Sequence, residues 1–76
     1  MTTDDLQLLS ASVGKDVKIT CTDGEVLVAR IDSVSEEDSD VIYELISTSN
    51  ESHYEKYDQQ PAYRIGFVEI VKVEPA

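Results

Sequence analysis

Residues 13–31 read VGKDVKITCTDGEVLVARI, and this stretch decides the fold. Up to Asp23 apolar and polar residues alternate. Val17, Ile19 and Cys21 share one face of an extended chain, and Asp16, Lys18, Thr20 and Thr22 share the other. That period of two predicts a strand over 16–22 with one wet side. Asp23-Gly24 is a strong hairpin signal, and a two-residue type I′ turn there requires positive φ at both central positions. After the turn the alternation gives way to an almost continuous apolar run from Val26 to Ala29. The second strand, over 25–34, places Leu27, Ala29 and Ile31 on one face and Val26, Val28 and Arg30 on the other. A strand apolar on both faces needs cover on both.

Working outward, residues 3–11 (TDDLQLLSA) predict one short helix. Thr3 is the expected N-cap, and Asp4 and Asp5 fall in the first turn, where negative charge suits the helix dipole. Leu6 and Leu9 lie three apart on one face, Leu8 widens it, and Gly14 breaks the helix. A helix this short must dock on something. SEEDSD, residues 35–40, reads as an acidic loop, and VIYELIST, residues 41–48, as a third strand. In it Val41, Tyr43 and Leu45 oppose Ile42 and Ile46. Residues 49–60 are polar and poor in aliphatic side chains, a long hairpin loop. Residues 61–67 form a fourth strand with Pro61 at its start, and 69–74 a short fifth, with Val68, Ile70 and Val73 as buried candidates.

A chain of 76 residues is one domain, 1–76, with a thin core, since a chain this short buries only about 60% of its unfolded surface. Cys21 is the single cysteine, so no internal disulfide supplements that core. The first residues lack a basic start followed by an apolar run, and no apolar stretch approaches the roughly 20 residues of a membrane span. The expectation is a soluble cytoplasmic protein. A formal net charge of −10 repels nucleic acid and anionic membranes at long range. Any phosphate-binding patch would have to come from Lys15, Lys18, Arg30, Lys56, Arg64 and Lys72.

A helix followed by five strands at short spacing suits an antiparallel small barrel, whose closure removes exposed strand edges. Gly14-Lys15, the alternating Val17, Ile19 and Cys21, the Asp23-Gly24 turn and the long strand after it resemble the first motif of Sm-like proteins, the group that includes Sm, Lsm and bacterial Hfq. YRIGFVEIVKV, residues 63–73, is similar to the second motif, with Gly66 before the last short strand. The resemblance implies a strongly bent five-stranded antiparallel barrel with a short N-terminal helix. It also implies a homo-oligomeric ring in which the last strands of one subunit pair with its neighbour. Ile42, Ile46, Val68 and Ile70 are then candidate interface residues. The bland alternative for the second apolar face is packing under Leu6, Leu8 and Leu9 in a monomer.

The activity implied by the resemblance is RNA binding, through an Asp-x-x-apolar-Asn loop after the second strand and an Ile-Arg-Gly loop between the fourth and fifth. Here Ser35 stands where the Asp is expected, Asp38 where the stacking residue is expected, and Ser39 or Asp40 where the Asn is expected. The second loop reads Arg64-Ile65-Gly66, with the arginine displaced by one position, and such a slip turns a side chain to the opposite face. Carboxylates offer neither a flat stacking partner nor amide donors, and they repel phosphate. Ser35, Asp38, Asp40, Arg64 and Gly66 remain the candidate ligand positions. The resulting expectation is a non-enzymatic ring serving as an assembly or scaffold module with degenerate base-reading loops. The alternatives are a genuine RNA-binding riboregulator and a monomeric protein-interaction module.

Other constellations carry less. SEEDSD lacks the spacing and the glycine of an EF-hand. His53 lies among Glu51, Glu55 and Asp58, whereas a metal wants at least three ligands in defined geometry. His53, Tyr54 and Tyr57 suit either contact with a protein partner or packing back onto the barrel. Cys21 reads as a small buried hydrophobe. Asn50-Glu51-Ser52 matches a glycosylation acceptor, but without a secretory signal the match carries no weight. No cofactor, metal or catalytic constellation is expected.

Overall fold

The computed structural model describes residues 1–49 and 62–76. Helix α1 (Thr3–Ala11) is followed by β1 (Asp16–Cys21), β2 (Val26–Ser35), β3 (Asp40–Thr48) and β4 (Tyr63–Gly66). A single 3-10 turn, Phe67–Glu69, then leads into β5 (Ile70–Pro75). The strands form one antiparallel sheet in the order β4-β3-β2-β1-β5. The expected elements are all present among the described residues, with ends shifted by one or two positions. The expected loop 49–60, with His53, Tyr54 and Tyr57, and Pro61 at the expected start of β4, lie outside the described residues except for Ser49.

The N-cap is Thr2, not Thr3. A capping box needs an acceptor three residues past the cap, and Asp5 stands in that relation to Thr2. The Asp5 N–H donates to Thr2 Oγ1 at 3.2 Å, and the Thr2 N–H donates to Asp5 Oδ2 at 2.9 Å. The helix ends at Ser12, whose N–H donates to Leu9 O, and Gly14 turns the chain at φ 83°. Leu9 is fully buried, while Leu6 and Leu8 are half-buried, as their shared face predicts.

The first hairpin is not closed by a type I′ turn. Gly24 has φ 89°, but Asp23 does not have positive φ. The Gly24 N–H donates to Cys21 O at 3.0 Å, and the Cys21 N–H donates to Glu25 O at 2.8 Å. This is a three-residue loop, Thr22 to Gly24, in which a tight turn ends on one left-handed glycine. Asp23 uses its side chain instead, accepting the Glu25 N–H on Oδ1 at 2.9 Å. Thr22 therefore belongs to the turn rather than to β1. A Cβ at Gly24 would meet nothing within 4 Å, so substitution there costs backbone strain alone. Gly24→Val should lose about 1–2 kcal/mol, read as a lower melting temperature. An unchanged melting temperature would contradict this turn.

Leu27, Ala29 and Ile31 of β2 point into the core, and Val26 and Val28 on the other face are half-buried. The β2–β3 register shifts between Val28 and Ala29 and again between Ile31 and Ser33. Such bulges bend a strand and increase its twist. Bending wraps the sheet around Ile19 of β1, Leu27 and Ile31 of β2, Val41 of β3 and Ile70 of β5, with Leu9 closing one end. On the other face of β3, Ile42 is half-buried and Ile46 is 51% exposed.

One expectation for the C-terminal segment is corrected: Val68, a buried candidate, is 87% exposed, because residues 67–69 form a 3-10 turn that lifts its side chain off the sheet. Ile70 and Val73, the other buried candidates, are 1% and 5% exposed and pack in the core of their own chain. The sheet does not close on itself among the described residues. β4 and β5 lie at opposite ends of the strand order and no ladder joins them.

Candidate functional site

The 35–40 turn and the 64–69 segment come together because Asp40 pairs with Gly66 in the β3–β4 ladder. Ser39 adopts φ 56°, and its carbonyl accepts the Phe67 N–H at 2.8 Å. The turn holds its own shape, since Ser35 Oγ accepts the Asp38 N–H at 3.1 Å and donates to Asp38 Oδ2 at 3.3 Å. On the facing segment the Gly66 N–H donates to Glu69 Oε2 at 2.9 Å. The structure thus brings Ser35, Asp38, Asp40, Arg64 and Gly66 into one region.

Strand alternation turns Ile65 inward, 7% exposed, and Arg64 outward. There Arg64 Nε meets Asp40 Oδ2 at 3.2 Å. Its side chain is 73% exposed, so the pair adds little stability. Its consequence is electrostatic. Arg64 already faces a carboxylate, and Glu36, Glu37 and Asp38 precede that carboxylate in the same turn. Further along the outward face of β2 and β3, the hydrogen bond that a protonated Glu44 carboxyl donates to the Asp32 carboxylate raises Glu44 above its ordinary range, and the Asp32 charge adds to it.

A second cluster lies beside this region. Cys21, Asp23, Glu25, Tyr43, Arg64 and Glu69 line a cavity of about 220 Å³. The ligand atoms of Cys21, Asp23 and Glu25 lie within 4.8 Å of one another, the spacing that could bring them to one cation. Burial first, and then the charges of Glu25, Asp23 and Glu69, push the Cys21 thiol up to about 11. A buried thiol protonated at neutral pH is a poor nucleophile. Glu25 is only 7% exposed, and its Oε2 accepts a hydrogen bond from Thr48 Oγ1. Its burial was legible in the spacing, since Glu25 shares the period-two face of Leu27 and Ala29.

Sequence reading missed the reach of Asp5. This residue is 9% exposed, and its Oδ1 accepts the N–H of Val73 on β5 at 3.0 Å. Hydrogen bonds from the Thr2 and Val73 backbones hold its carboxyl below the ordinary carboxylate range, against the opposing effect of burial. The capping-box spacing hints at the bond to Thr2, but no local signal places Val73 beside it.

The bent sheet, the N-terminal helix and the pairing of the two loops define an Sm-like fold. The crystal structure of an SmAP (LSm) protein from Methanococcus vannielii superposes with a TM-score of 0.68, covering 96% of each chain at 16% identity. No family model matches the sequence, and no curated protein matches it. Among the described residues, no helix is long and apolar enough to cross a membrane.

Proposed function

We propose that this chain is a non-enzymatic Sm-like subunit that assembles with copies of itself into a closed ring and serves as an assembly module. The observation that carries the reading is the strand order β4-β3-β2-β1-β5, which leaves β4 and β5 as the two ends of one bent sheet. Opposite ends that do not pair within a chain are suited to pair head-to-tail between chains, and a head-to-tail interface closes into a ring if the rotation per subunit closes. Assembly also supplies the core that 76 residues lack. Exposed apolar residues, Ile46 at 51%, Val71 at 53% and Val68 at 87%, are then candidates for cover by a neighbour.

The loop chemistry separates this reading from a base-reading ring. The 35–40 turn carries Glu36, Glu37, Asp38 and Asp40, and Arg64 is paired with the last of these. Phosphate binding draws on unpaired cations that release counterions. The RNA-binding reading is the second one, and the juxtaposition of the two loops is what favours it. Light scattering after size exclusion should give a mass of several 8.5 kDa subunits. Short U-rich or A-rich RNA should not bind at low salt, where screening is weakest. A monomer would sink the ring, and salt-sensitive RNA binding would replace the assembly reading with the second one.

A further inference from the structure

We propose that Cys21, Asp23 and Glu25 are three ligands for one thiophilic divalent cation of the zinc class, bound at the turn of the first hairpin. The proposal stands apart from self-assembly. In an extended chain Cys21 and Glu25 would lie about 13 Å apart. The three-residue loop instead folds them opposite one another, with the Cys21 N–H donating to Glu25 O at 2.8 Å. Asp23 sits in the loop between them, and the ligand atoms of all three lie within 4.8 Å of one another.

Burial sets this cluster apart from the acidic 35–40 turn. Cys21 and Glu25 are each 7% exposed, and both line the cavity of about 220 Å³. A buried carboxylate is costly unless it is paired or bound to a metal. Among the described residues no ion pair includes Glu25, and no hydrogen bond reaches the Cys21 thiol. Arg64, the cation on the cavity wall, pairs with Asp40 instead. The two carboxylates are oriented without being used up. Thr48 Oγ1 donates to Glu25 Oε2, and the Glu25 N–H donates to Asp23 Oδ1. Each carboxylate thus keeps its other oxygen for a cation. Zinc stands about 2.3 Å from sulfur and about 2.0–2.2 Å from oxygen, so a tetrahedral shell needs its ligand atoms about 3.5 Å apart. Asp23 is exposed, and rotation of its side chain supplies that closure. Thiolate selects zinc over magnesium and calcium. The thiol proton leaves to solvent as sulfur binds, and three protein ligands leave the fourth position to water.

The test titrates the full chain, stripped with a chelator, with Zn²⁺ by calorimetry and with Co²⁺ by absorption. Expected are one zinc per chain and a sulfur-to-cobalt charge-transfer band, both unchanged by excess Mg²⁺. Cys21 is the only cysteine, so the band assigns its thiolate in the unmodified protein, without a variant that has to fold. Cys21→Ser should abolish the band. Glu25→Gln should weaken zinc by at least the about tenfold that even outer-shell changes cost. His53→Ala should bind zinc as the unmodified chain does, although it removes the only imidazole. Absence of saturable zinc binding would overturn the site, and so would a cobalt complex without the band. An affinity that Glu25→Gln leaves unchanged, or that His53→Ala lowers more than Glu25→Gln does, would make the binding adventitious and overturn it as well.

Discussion

Ile70→Asp should leave the domain unfolded at 25 °C. Ile70 is 1% exposed at the start of β5 and lies among the core residues of every other layer of the fold. The substitution removes a buried aliphatic side chain, which alone costs about 2–5 kcal/mol, and puts a carboxylate in its place. That charge would sit among the apolar residues of the core, where an unpaired ion is costly. The stability of a whole domain is about 5–15 kcal/mol, and a 76-residue chain stands at the low end. Loss of the cooperative urea transition, followed by far-ultraviolet circular dichroism, is the expected result. A variant that stays folded while its assembly state falls would instead place Ile70 at a subunit interface, as the sequence resemblance suggests.

Leu9→Ala is the second large effect, expected at about 2–5 kcal/mol. Leu9 is the one fully buried apolar residue of α1, and its side chain reaches the main core. Alanine is the better helix former, so the loss cannot be assigned to helix propensity. It reports docking. A nine-residue helix is marginal in isolation and keeps its shape through its packed face. Undocking also removes Asp5 from Val73, so the melting temperature should fall and the Val73 amide should exchange faster. A loss below about 1 kcal/mol would show that the capping box and the Asp5 bond hold the helix without Leu9.

The strands were readable because each carries its own period. Val17, Ile19 and Cys21 alternate inward, and so do Leu27, Ala29 and Ile31. Both triplets are buried as the alternation requires. The misread positions are those where backbone turns and hydrogen bonds between near neighbours outweigh rules based on residue type. Val68 reads as a buried residue until a 3-10 turn lifts it out. Asp23-Gly24 reads as a two-residue turn until the Cys21 and Glu25 backbone bonds widen the loop to three. Thr3 and Thr2 are equivalent caps by residue type, and the position of Asp5 selects Thr2.

The candidate site divides in the same way. Its acidity, the displacement of Arg64 and the absence of a stacking residue at Asp38 stand in the sequence, because charge and residue type need no geometry. The pairing of Arg64 with Asp40 does not, since it depends on the β3–β4 register.

By itself the sequence determined a β-rich fold with one N-terminal helix, a strong negative charge and an acidic 35–40 loop. Periodicity and composition act through neighbouring residues, so one chain read in order contains them. Only the tertiary structure decided that β4 and β5 stand at opposite ends of the sheet and that Asp5 meets the Val73 N–H on β5. Those outcomes join residues far apart in the chain, 68 positions in the case of Asp5 and Val73. Which distant groups meet is set by how the bent sheet packs, and no local pattern carries that information.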